Sequence, residues 1–111
     1  MNPVDATSAT GPRVNPAVNE AQARRAANGY LSREVGIPFG AVAGVFVPLE
    51  PPIWQFAIEF HLPRLGQLGV MGTIDVNAET GEPLPLSRPD IEKIQDRADA
   101  IIRFQTPAAA A

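Results

Sequence analysis

Ten consecutive residues, Ile53–Leu62 (IWQFAIEFHL), constrain this chain most. In an extended backbone Trp54, Phe56, Ile58, Phe60 and Leu62 share one side, and Gln55, Ala57, Glu59 and His61 share the other. A strand that is apolar on one side and mixed on the other belongs in an antiparallel sheet with one wet face. Residues 70–77 (VMGTIDVN) read as the next strand, with Val70, Gly72, Ile74 and Val76 facing inward. Residues 63–69 (PRLGQLG) then form the connection of a hairpin.

The flanking segments complete a small α+β pattern. Residues 39–48 (FGAVAGVFVP) are a further strand. Their small residues, Gly40, Ala41, Ala43 and Gly44, mark a bend or the close passage of another backbone. Asn77 and Gly81 bound a turn, NAETG. The segment after it carries Pro83 and Pro85, which restrict it to a short edge strand or none. A helix is expected over residues 16–34, with Asn15 as cap and Pro16 at its first position, ended by Gly36 and Pro38. A second helix is expected over the segment SRPDIEKIQDRADAIIRF. There Ser87 and Asp90 fit a capping box, and Ile91, Ile94, Ala98 and Ile101 form an apolar stripe among charges.

The expected architecture is a helix packed on a curled antiparallel sheet of three to four strands, plus a C-terminal helix. Residues 1–14 read as a disordered tail and 106–111 as a frayed end, leaving 15–105 as a single α+β domain. At 111 residues the chain has room for one domain, and 45% hydrophobic residues supply its core.

Composition removes several classes of chemistry. With no cysteine there is no thiolate nucleophile, disulfide or Cys-type zinc site. His61 is the only histidine, so one chain cannot build a multi-histidine metal site. A net charge of −3 argues against direct nucleic-acid binding. No apolar run reaches membrane-spanning length, and the first residues lack the basic and apolar regions of a signal peptide. A cytoplasmic protein that contacts no membrane and needs no cofactor is the expectation.

Three places invite a functional reading. The polar side of the hairpin carries Glu59, His61 and Asp75. If Leu62 pairs with Val70, Glu59 lies opposite Thr73 with Asp75 one pair away, a carboxylate–imidazole set suited to acid–base work. An ordinary solvated sheet face is the competing reading, and a slip of one residue would scatter the set. The loop 63–69 offers Leu65 and Leu68, either folded back on the core or open to a partner. It leads into a strand and so does not match a phosphate-binding loop. The C-terminal helix offers Ile94, Arg97 and Ile101, which either dock on the sheet or meet a protein partner, a second copy included.

The run IWQFAIEFHLPRLGQLGVMGTIDVNAETGE resembles the PepSY-type, cystatin-like unit, in which a Trp-bearing strand is followed by a strand ending in a Val-Asp-x-x-Thr-Gly-Glu turn. Here Val76 to Glu82 form that turn, with Asn77 where the family has Asp. The resemblance covers roughly residues 16–86 and implies a helix against a curled antiparallel sheet, with protease inhibition or assisted folding as the role. Trp54, the loop from Leu65 to Gly69, the strand Gly72 to Val76, the Thr80 to Glu82 turn and the helix from Ile91 to Ile102 are also similar to small prokaryotic proteins encoded beside PIN-domain ribonuclease toxins. That likeness implies an antitoxin-like protein. The expectation is therefore a non-enzymatic protein-interaction module that neutralises a ribonuclease by occlusion. A PepSY-type module and a small enzyme using the hairpin's polar face are the alternatives.

Overall fold

The computed structural model describes residues 16–105. The expected tails, and Asn15 with them, lie outside the described residues. The order is α1 (Glu20–Glu34), β1 (Phe39–Val47), β2 (Ile53–Leu62), β3 (Gly66–Asn77) and α2 (Arg88–Gln105). The three strands form one antiparallel sheet in the order β1-β2-β3. Of the three to four strands expected, three are present among the described residues. The Pro83 segment makes only an isolated bridge to Val76, because proline has no N–H to extend a ladder.

α1 starts later than expected. Its cap is Asn19, which accepts from the Gln22 N–H while the Gln22 side chain accepts from the Asn19 N–H, each at 2.8 Å. This reciprocal box satisfies two end donors at once. Pro16 therefore precedes the helix. The fully buried positions are Ala23, Ala27 and Leu31, a repeat of four that lays a narrow alanine seam on the sheet.

Phe56, Ile58, Phe60, Ile74 and Val76 form the centre of the core on the helix side of the sheet. Trp54 lies at its margin, donating Nε1–H to the Val18 carbonyl at 2.8 Å and meeting Phe46 edge-on at 5.5 Å. α2 packs on the same side. Ile94 and Ala98 are buried, and Ile94 sits over Gly72. Two bonds tie α2 and its approach to α1: the Leu86 N–H donates to the Tyr30 hydroxyl, and Gln95 Nε2 donates to the Val35 carbonyl.

β3 departs from the expected facing. It begins at Gly66, so only Pro63, Arg64 and Leu65 separate it from β2. Irregularities in the ladder occur at Ile58/Glu59 and Phe60/His61. The first leaves Met71 without a paired residue and reverses the alternation. Met71 is buried, and Val70, expected inside, is 58% exposed. β1 is also irregular between Val42 and Val45, and Ala43 there has φ of 57°. The small residues expected to mark a bend do so.

Both sheet edges are partly closed. On β1 the Ala41 N–H points outward and donates to Asn28 Oδ1 of α1 at 2.7 Å. On β3 the Asp75 carbonyl accepts from Leu84 N–H and the Asn77 N–H donates to the Glu82 carbonyl. Edges blunted in this way resist pairing with other chains. Asn28→Ala is expected to cost about 1 kcal/mol, because a half-buried donor loses its partner. Urea unfolding checks the cost, and a sizing column should show added self-association through the freed β1 edge.

Candidate functional site

The helix-free side of the sheet carries Gln55, Ala57, Glu59 and His61 from β2. Glu59 pairs with Gly40 on one side and Val70 on the other, not with Thr73. Although it faces away from both helices, Glu59 is only 8% exposed. Both of its oxygens are engaged. Oε1 lies 2.8 Å from His61 Nε2, and Oε2 accepts from Gln67 Nε2. A carboxylate held this way sits where it can orient the imidazole. Asp75 does not join them. It lies opposite Gln55, four residues along β2, and accepts from Gln55 Nε2 at 3.1 Å. The expected three-residue set is therefore a Glu59–His61 pair with Gln67 as its third member.

Sequence reasoning missed Gln67 because it placed residues 63–69 in a loop. Gly66 and Gly69, both with positive φ, are the signal that this stretch is an irregular strand. The irregularity at Phe60/His61 brings Gln67 opposite His61 and so within reach of Glu59.

His61 lines a groove of about 570 Å³ at the end of the sheet, with Ile37, Pro38, Phe39, Leu62, Pro63 and two glycines. The Phe39 and Phe60 rings stack behind it at 5.2 Å. Ile37 stands at its rim, 83% exposed. The lining holds one polar side chain, His61, and no hydroxyl, thiol or amine. An apolar wall with a single imidazole suits binding of an apolar group.

Comparisons with known family models, curated proteins and solved structures find no match.

The other residues singled out in the sequence divide. Leu65 is exposed on the hairpin tip, and Leu68 packs back against the core. Ile94 is buried under α2, Ile101 packs against the same core, and Arg97 donates Nη1–H to the Met71 carbonyl at 2.7 Å. α2 thus docks on its own sheet. A seam between two copies through Ile94 and Ala98 would require undocking the helix. Toward its end α2 leaves Phe104 84% exposed. Among the described residues no cluster of three or more metal-ligating side chains occurs, and no helix is long and apolar enough to cross a membrane.

Proposed function

We propose that the protein is a non-enzymatic interaction module that receives an apolar segment of a protein partner at the hairpin end of its sheet. One observation carries this reading: the groove lined by Pro38, Phe39, Leu62 and Pro63 opens beside a fully presented Ile37. A large aliphatic side chain left in water at the mouth of an apolar concavity marks a contact surface. Leu65 on the hairpin tip extends the apolar rim. His61, held by Glu59, supplies one directional hydrogen bond to fix the register of the bound segment.

The finer form of the proposal is antitoxin-like occlusion of a ribonuclease. It is supported by the sequence resemblance around Trp54 and the Thr80–Glu82 turn, and by a net charge of −3 that complements a basic RNA-binding cleft. A PepSY-type inhibitor or folding aid would use the same hairpin tip against a different partner.

Placing a photo-crosslinking residue at position 37 and irradiating in lysate of the native host tests both levels. The expected result is one stoichiometric adduct. Ile37→Asp, with the crosslinker moved to position 65, should abolish that adduct while shifting stability by no more than about 0.5 kcal/mol, as for other exposed sites. Phe104→Asp, at the far end of α2, should leave it intact. A ribonuclease in the adduct supports occlusion, and a protease supports inhibition. No adduct, or one insensitive to Ile37→Asp, removes the groove reading.

A further inference from the structure

A second cleft lies on the opposite edge of the sheet, between β3 and α2. It measures about 250 Å³ and is lined by Met71, Gly72, Thr73, Leu86, Asp90, Lys93, Ile94 and Arg97. Neither the hairpin groove nor the reading attached to it involves these residues.

The backbone of β3 explains why this cleft is special. The Asp75 carbonyl and the Asn77 N–H point away from β2, as their bonds to Leu84 and Glu82 show. Backbone polar groups on a strand alternate in direction, so those of Thr73 also point outward. The 82–84 segment covers the edge on one side of Thr73, and Arg97 covers the Met71 carbonyl on the other. Between those two contacts the partly closed edge is open for one residue, with the N–H donor and C=O acceptor of Thr73 facing the cleft. A gap this short does not admit a whole strand. It admits the end of one.

The side chains set the chemistry of that end. Lys93 and Arg97 are four residues apart on α2, a spacing at which like charges repel. Both line the cleft. Among the described residues the ion pairs are Arg24–Glu20 and His61–Glu59, so neither cation has an acidic partner within 4.0 Å. Asp90 lines the same cleft. Two cations against one carboxylate leave a single net positive charge, which matches a monoanion better than a dianionic phosphate. Met71, Leu86 and Ile94 supply an apolar floor beside the charges.

We propose that this cleft binds the C-terminal carboxylate of a partner polypeptide whose last residue is a small apolar one. The carboxylate meets Lys93 and Arg97, the backbone of the last residue pairs with Thr73, and its side chain rests on Met71, Leu86 and Ile94. End-capture of this kind combines edge pairing with charge recognition.

The test is a titration of the full ¹⁵N-labelled chain, followed by amide chemical shifts. The probe is an acetylated pentapeptide ending in valine, used with a free carboxylate, as its C-terminal amide, and against inorganic phosphate. Saturable shifts confined to residues 71–73 and 93–97 are expected with the free acid. Amidation should weaken binding at least about tenfold, and so should Lys93→Ala, which removes an exposed side chain that makes no bond within the fold. Thermal unfolding of Lys93→Ala should match the parent, which separates loss of the site from loss of structure. Equal binding of acid and amide would overturn the proposal. So would phosphate binding as tightly as the peptide, since that marks a site for free anions only, and so would an absence of shifts at millimolar peptide.

Discussion

Phe56→Ala is expected to cost about 3–5 kcal/mol, the usual loss when a buried aromatic ring becomes a cavity. Phe56 is wholly inaccessible to solvent. It lies at mid-strand on β2, opposite Ile74 of β3 and beside the irregular turn of β1 at Gly44. Three elements therefore meet on one ring, and none of them can shift inward without breaking a ladder. A domain of this size has about 5–15 kcal/mol in total. The variant should thus melt at least about 12 °C lower, and a large fraction should be unfolded at physiological temperature if the parent is near the low end. Differential scanning calorimetry with urea titration measures this. A loss below about 1.5 kcal/mol would mean that the ring does not sit in a tightly packed core, and the placement of α1 against the sheet would have to be redrawn.

The same strand shows what could be read without coordinates. Strict alternation from Trp54 to Leu62 reports the buried side of β2 because that strand is central and flat enough for period two to hold. The turn at Asn77 was legible for a local reason. Its side chain accepts from the Glu79 and Thr80 N–H groups, and Gly81 takes φ of 81°. The docking of α2 through Ile94 and Ala98 agrees with one of the two readings its stripe allowed.

What failed was register. Val70 and Met71 exchange faces because the ladder gains an unpaired residue between Ile58 and Glu59. Nothing in the hydropathy of residues 66–71 reports such an insertion, since a bulge is a property of two strands and the sequence pattern is a property of one. The candidate site inherited the error. Grouping Asp75 with Glu59 rests on a pairing of Leu62 with Val70, and the pattern alone puts Gln67 in the connection. The capping of α1 failed differently: two asparagines four residues apart both precede the helix, and only Asn19 has a Gln three positions on to complete the box.

These two kinds of legibility bear on function. The hairpin groove is assembled from residues far apart in sequence, Ile37 to Gly40 and His61 to Gly66. Its shape depends on the same irregular pairing that hid Gln67. The α2–β3 cleft depends on where a proline-rich segment stops pairing with β3. In both cases the surface open to a ligand lies where a regular element ends, which is where periodicity stops being informative.

Gly44→Ala should be the second large effect, a loss of about 1–3 kcal/mol from overpacking. A Cβ built at this position falls 2.6 Å from Phe56 Cε1 and 2.8 Å from Glu20 Cγ and Oε2. Both distances are shorter than any unstrained carbon contact. Gly44 is thus the point at which β1 admits the first turn of α1 on one side and the Phe56 ring on the other. Weak strand propensity of glycine predicts the opposite sign, since alanine replacing it in a relaxed strand would stabilise. The two accounts separate in a double variant. Adding Glu20→Ala removes two of the three close atoms and gives up a part-buried ion pair with Arg24 and an acidic side chain in the first turn of α1, each of which contributes about 1 kcal/mol or less. Gly44→Ala should then cost less in the Glu20→Ala background than alone, with the remainder set by the ring of Phe56. Equal costs in both backgrounds would show that α1 does not press on β1 at this residue. The crowding that shapes the bend at Ala43 would then need another source.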